Sequence, residues 1–200
     1  VAYDQITFQE TAIAAVVEAT EKGFLRQNSV DSVTGKNSGN NLGPGSPIFH
    51  FHQWRKDYVD VRLMLKGGGC ENVGTQFSLK PPKLGGRDMK GVEHAILEAV
   101  LLAQGKGCGP GILGVCIGGD RASGYVHSKE QLLRTLDDSN KDEELSAMEQ
   151  RVMEKANKSG IGPMGFGGNT TLLGCKIGKQ NRVPASFYVS ISYMCWAFRR

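Results

Sequence analysis

The sequence has no apolar run approaching the roughly 20 residues of a helical membrane span, and its start lacks the basic, apolar and small-residue series of a secretory signal. A cytoplasmic protein that does not enter the membrane is therefore expected. Long blocks of like charge are missing too. The net charge of +4 comes from 24 Lys and Arg interspersed with 20 Asp and Glu, so charge implies neither nucleic acid nor an anionic membrane surface as a partner. There is no paired Cys-x-x-Cys for zinc, no Gly-Lys-Ser/Thr ending of a phosphate loop and no Gly-x-Ser-x-Gly nucleophile elbow. The five cysteines, Cys70, Cys108, Cys116, Cys175 and Cys195, are odd in number and scattered, unlike a disulfide framework. Reduced thiols or metal ligands are the reading that remains. Gly109–Gly114 and Gly160–Gly165 match the spacing of a dinucleotide fingerprint, but neither follows a strand and opens a helix, as that mechanism requires.

Glycine is abundant. Eleven of the 27 glycines cluster at Lys66–Asn72, Lys106–Gly111 and Gly160–Thr171, and clustered glycine implies shaped backbone rather than a linker. Three glycines after a strand can point successive N–H groups into one concavity, so Gly67-Gly68-Gly69 reads as an anion cradle or as a tight turn. Glycine on either side of Cys108 clears space for something large to approach the sulfur, although a plain helix-to-strand turn is the alternative.

Hydrophobic spacing supplies the elements. Thr7 to Gly23 reads as an amphipathic helix, with Thr7 and Glu10 as a capping box and Ile13, Val16, Val17, Thr20 and Phe24 on its stripe. A polar loop, Thr34–Gly45, follows. Ile48–His52 and Tyr58–Lys66 read as a hairpin that buries Val59, Val61, Leu63 and Leu65; His50 and His52 share a strand face, most simply as solvated or packed histidines. Met89–Ala103 is a helix opened by Asp88, and Ile112–Ile117 a strand. Ser128–Leu136 and Asp142–Ser159 are helices, and Leu172–Ile177 is a strand. The closing strand alternates Val189, Ile191, Tyr193 and Cys195 with Ser190, Ser192 and Met194. Its terminal thiol, beside Arg199 and Arg200, is a reactive-thiol candidate or simply a small packed hydrophobe. The expected fold is a single mixed alpha/beta domain over 1–200, with glycine-rich loops gathered at one edge.

Four segments in this order, Lys66–Asn72, Cys108–Gly119, Gly160–Gly168 and Ala185–Cys195, resemble the iron-sulfur-dependent hydro-lyases, the class I fumarate hydratases and tartrate dehydratases, in their alpha subunit or domain. The resemblance covers nearly the whole chain. It implies a four-iron, four-sulfur (4Fe-4S) cluster held by three cysteines, its fourth iron open to substrate. Cys108 and Cys195 fall on two ligand positions, while the remaining ligand belongs to a Cys-Gln-Asp-Thr-Gly motif expected upstream of Val1. Arg26 matches the arginine that grips a substrate carboxylate; without the resemblance it reads as a surface cation at a helix end. Gly69, Asn72 and Gln76 match the segment that contacts substrate.

Cys70 stands where the family usually has serine, and Arg182-Val183-Pro184-Ala185-Ser186 lacks the histidine of the family's Arg-His-Gly-Ala-Ser stretch. Cys70, Cys116 and Cys175 are not expected to ligate the cluster. The implied reaction dehydrates a small 2-hydroxy dicarboxylate reversibly, malate to fumarate first and tartrate to oxaloacetate next. The catalytic base is expected on a beta subunit or beta domain, within a homo- or hetero-oligomer. A non-catalytic, glycine-rich anion-binding module with structural cysteines is the rival reading.

Overall fold

The computed structural model describes residues 4–53, 55–80 and 85–198. These divide into two compact units, Val1–Val61 and Arg62–Arg200. Arg199 and Arg200, the proposed cationic neighbours of Cys195, lie outside the described residues.

In the first unit, helix α1 spans Gln5–Glu21. It begins before Thr7 because the Asp4 carboxylate accepts hydrogen bonds from the Ile6 and Thr7 amides, a side-chain N-cap in place of the predicted Thr7 box. Of the predicted stripe only Thr20 is buried, and Phe24 is exposed. The polar loop is ordered by one residue. Asn41 accepts from the amides of Asn28 (2.8 Å) and Ser29 (3.3 Å), and donates to Thr20 Oγ1 and to the Arg26 carbonyl, both at 2.9 Å. Its φ of 62° is a conformation that asparagine tolerates better than most residues.

The predicted hairpin does not form. Neither Ile48–His52 nor Tyr58–Lys66 is a strand among the described residues, and Val59, Val61, Leu63 and Leu65 are 50% to 69% exposed. Of residues 58–66, only Met64 and Lys66 turn inward. Met64 packs on an apolar cluster with Ile112, Leu132 and Met194, and the largely buried Lys66 ammonium pairs with Glu71 at 2.5 Å.

The second unit is a mixed alpha/beta domain around a four-stranded sheet. Its strands are β1 (Thr75–Ser78), β2 (Gly111–Gly118), β3 (Leu172–Gln180) and β4 (Tyr188–Cys195), in the order β1-β4-β2-β3. β4 runs antiparallel to both β1 and β2, while β2 and β3 are parallel. The helices are α2 (Gly68–Asn72), α3 (Met89–Ala103), α4 (Arg121–Gln131) and α5 (Glu143–Lys158). α4 begins at Arg121 rather than Ser128, because Gly118 and Gly119 turn the chain at positive φ and Asp120 with Ser123 forms a full capping box.

Helices cover both faces of the sheet. Val92, Ile96 and Val100 of α3 and Leu145, Met148 and Val152 of α5 share one core with Val115, Val189, Ile191 and Tyr193. On the opposite face α4 packs so close that a Cβ on Gly114 would lie 2.1 Å from the Ser128 carbonyl. Ser190 and Ser192 of β4 are consequently buried too, satisfied by Gln76 Nε2 and Ser128 Oγ at 2.9 Å each. The β3 edge is blocked by a side chain. Glu149 Oε1 accepts from Ile177 N (2.7 Å), Arg134 (2.8 Å) and Asn140 (2.9 Å), so a ladder amide that could pair with another strand is already satisfied. Among the described residues no helix is long and apolar enough to cross a membrane.

Candidate thiol site at the glycine-lined end of the sheet

The site is built where β2 begins and β4 ends, Gly111 lying opposite Cys195 in the register. α3 stops at Ala103 and the chain reverses through Gln104 at φ 48°. A Cβ on Gly105 would lie 2.2 Å from the Met164 carbonyl carbon, so glycine is what lets the Gly105–Gly111 loop rest on the 160–168 loop. Cys108 follows at φ 51°, a left-handed conformation that is uncommon outside glycine and that concentrates at functional sites.

Gly107 and Gly111 clear a slot for Tyr193: added Cβ atoms would come within 2.6 Å and 2.2 Å of its ring, whereas one on Gly109 would meet its hydroxyl at an ordinary 3.6 Å. The buried Tyr193 therefore walls the site from the sheet side. From the other direction α2 contributes Gly69 and Cys70. A Cβ on Gly69 would sit 3.7 Å from Cys108 Sγ, and the Cys70 thiol donates to the Gly107 carbonyl at 3.4 Å. The loop that carries them is held by Glu71, whose carboxylate pairs with Lys66 at 2.5 Å and Lys129 at 2.7 Å. Burial opposes the ionisation of Glu71, but these two ammonium groups hold it below the ordinary glutamate range.

Cys70 lies within electrostatic reach of both Cys108 and Cys195. Burial, then the charge and hydrogen bonding of Cys195, with a further contribution from Cys108, push the Cys70 thiol up to about 11, against the opposing pull of Lys66. Tyr193 is pushed up to about 12 by burial, then by the charges of Cys70, Cys108 and Cys195. Cys108 is exposed and Cys195 half-buried. Cys116 and Cys175 lie buried within β2 and β3, and burial drives both thiols upward, Cys116 to about 12. Among the described residues, no set of three or more His, Cys, Asp or Glu side chains is arranged to hold a metal ion.

The structure brings Gly69, Cys108 and Cys195 together. Asn72 is exposed at the end of α2, and Arg26 is exposed in the first unit. Gln76 lies elsewhere: it pairs with Ser190, five residues up β4 from Cys195, or about 17 Å at about 3.4 Å per residue. Its amide is committed, donating to the Arg121 carbonyl (2.8 Å) and Ser190 Oγ (2.9 Å) and accepting from the Arg121 guanidinium (3.2 Å). Gly67, Gly68 and Gly69 keep negative φ and open the five-residue α2, with Gly69 beside the Cys108 sulfur. Sequence reasoning missed Tyr193 as a wall of the site. The signal was available in the alternate glycines 107, 109 and 111 entering a strand whose partner carries an aromatic ring.

The family model for fumarate hydratase (Fumerase) matches residues 1–200, and the chain belongs to this family. It is 58% identical over 204 residues to a Geobacillus stearothermophilus protein provisionally named fumarate hydratase class I, covering 100% of this chain and 40% of that relative. It is 34% identical over 187 residues to a Methanocaldococcus jannaschii protein provisionally named L(+)-tartrate dehydratase subunit alpha, covering 92% of this chain and 64% of the relative. Against the Escherichia coli K12 L(+)-tartrate dehydratase subunit alpha it is 31% identical over 190 residues, covering 93% and 60%. The chain thus spans between two-fifths and two-thirds of the length of these relatives.

Proposed function

We propose that this chain is the alpha component of an iron-sulfur hydro-lyase that reversibly dehydrates a small 2-hydroxy dicarboxylate. The observation that supports the reading is that Gly69 lies beside the Cys108 sulfur at the same end of the sheet where Cys195 closes β4 opposite Gly111. Two accessible thiols backed by glycine fit two corners of a 4Fe-4S cluster, and a third cysteine upstream of Val1 would complete the set. Such a cluster supplies a Lewis-acidic iron for the departing hydroxyl.

The chain's own residues shape what surrounds it. Gly69 leaves space for a ligand beside Cys108, Tyr193 closes the site from the sheet, and Asn72 offers a side-chain amide at the rim. The family resemblance assigns to Arg26, on the first unit, the planar fork of donors for a substrate carboxylate. Gln76, locked to Arg121 and Ser190, positions β1 rather than touching substrate. The catalytic base belongs to the beta component, the protein partner in this reading, within a homo- or hetero-oligomer in the cytoplasm. Malate/fumarate is the favoured pair, because the relative at 58% identity bears the fumarate hydratase name; tartrate/oxaloacetate is the next.

The test is anaerobic assay of the longer protein that carries this chain, with its beta component, against fumarate, malate and tartrate. Hydration of fumarate that Arg26→Ala depresses at least tenfold supports the proposal. A protein that binds these dianions without interconverting them would contradict it.

A further inference from the structure

We propose that Phe166, with Met164 beside it, is an apolar anchor on which the beta component docks over the thiol site. The proposal rests on the reading that a beta component completes this site. Phe166 stands on the 160–168 loop and is 91% exposed, while Met164 is 49% exposed. The loop that presents them is tightly built. Gly162, Gly165, Gly167 and Gly168 take positive φ, as does Met164 at 57°, a non-glycine conformation that persists only where the surroundings hold it. Gly167 N donates to the Ile161 carbonyl (2.9 Å), Phe166 N to the Pro163 carbonyl (3.1 Å) and Gly162 N to Thr171 Oγ1 (3.1 Å). A Cβ on Gly162 would lie 2.0 Å from the Gly167 carbonyl oxygen, so the loop closes on itself. Because this backbone is already ordered, binding through the ring costs little further conformational freedom, and an aromatic side chain filling an apolar pocket is a common interface anchor.

Place and chain length select the occupant. The 160–168 loop rests on the segment that carries Cys108: Cβ atoms on Gly105 and Gly109 would lie 2.2 Å and 3.3 Å from the Met164 backbone. Leu101 and Leu102, 48% and 54% exposed, lie in the last turn of α3. Apolar side chains are therefore exposed both on the helix that leads into the Cys108 loop and on the loop it rests against. Cys108 itself is exposed. The chain spans only 40% to 64% of its relatives, two of which bear the name of an alpha subunit. The surface that fits this rim is an apolar socket on the beta component.

The test uses the longer protein carrying this chain, purified with its beta component. Phe166→p-benzoylphenylalanine places a photo-cross-linker at the loop tip, and mass spectrometry after irradiation and digestion identifies what it touches. The expected product joins residue 166 to a peptide of the beta component. In the protein stripped of iron by a chelator without oxygen, docking shields Cys108 from a maleimide. Its alkylation should be about tenfold or more faster in Phe166→Ala, the loss of one anchor residue, and close to the wild-type rate in Phe166→Leu, which keeps an apolar side chain. So exposed a side chain contributes little to the fold, and neither change should unfold the chain. Cross-links confined to the alpha component or to a second copy of it, or equal alkylation rates in all three proteins, overturn the proposal. The beta cross-link in a protein that neither holds iron nor hydrates fumarate supports the docking and removes the hydro-lyase reading. Fumarate hydration without that cross-link removes the docking alone.

Discussion

Gly111→Ala probes how the site is held. Gly111 does not have positive φ, so alanine costs nothing in backbone conformation there, and the effect comes from the side chain alone. The new methyl carbon would lie 2.2 Å from both Cζ and Oη of Tyr193 and 2.5 Å from Cε2, against an ordinary contact of 3.4 Å or more. The ring must move by over an ångström within a packed core, an overpacking that costs about 1–3 kcal/mol. At about 2–4 °C per kcal/mol for a protein of this size, the melting temperature falls by roughly 2–12 °C. Tyr193→Phe does not relieve the clash, because Cζ remains. Tyr193→Leu removes the ring, so Gly111→Ala should cost at least about 1 kcal/mol less on that background, a coupling expected of residues in contact. Chemical denaturation of the four variants measures both quantities. An alanine cost within about 0.5 kcal/mol of zero, or equal costs on both backgrounds, would refute the slot.

Glu149→Ala should destabilise by about 3–5 kcal/mol, since it strands the Ile177 amide and removes a partner of the Arg134 guanidinium. Glu149→Gln keeps an acceptor and should cost only about 1 kcal/mol; equal costs in denaturant melts would contradict the three-donor account. Asp138 is held below the ordinary aspartate range by its hydrogen bonds to Arg134, with burial opposing and Lys176 assisting. Its contribution to stability is therefore full above the unfolded value of about 3.9 and is lost as pH falls through the lower native value. Asp138→Asn should flatten the acid limb of stability against pH, and an unchanged limb would count against the pairing. Cys116→Ser and Cys175→Ser should each lower stability, because they place a hydroxyl in an apolar, buried strand position, yet leave any bound iron unchanged. Iron lost in proportion to folded protein would fit this; iron lost from fully folded protein would not.

Where one chemical rule governed an element, the sequence was legible. α3 has the predicted bounds, Met89–Ala103, because Asp88 caps it and its apolar stripe faces a single core. The closing strand was found by its alternation. Its buried serines were not, since a hydroxyl can be satisfied by a residue as distant as Gln76 or Ser128. β1, only Thr75–Ser78, is too short and too polar to show a period. The false hairpin shows the limit of periodicity. The apolar alternation written in Tyr58–Lys66 is not matched by burial: Tyr58–Leu63 is exposed throughout, and only Met64 and Lys66 turn inward, held by the apolar cluster and the Glu71 pair. At the site, Cys108 announced itself by its flanking glycines and Cys195 by its place at a strand end. The Tyr193 slot and the approach of Cys70 depend on tertiary contacts between segments far apart in the chain. Gln76 was assigned to substrate by the family resemblance; its pairing with Ser190 and its bonds to Arg121 are tertiary features that no local pattern announces.

The most direct test of the account is iron and acid-labile sulfide analysis, with a visible spectrum, of the longer protein carrying this chain, purified without oxygen together with its beta component. The account predicts bound iron and sulfide with a broad visible absorption that Cys108→Ser and Cys195→Ser each abolish. A colourless protein that stays free of iron and sulfide after anaerobic reconstitution would contradict it.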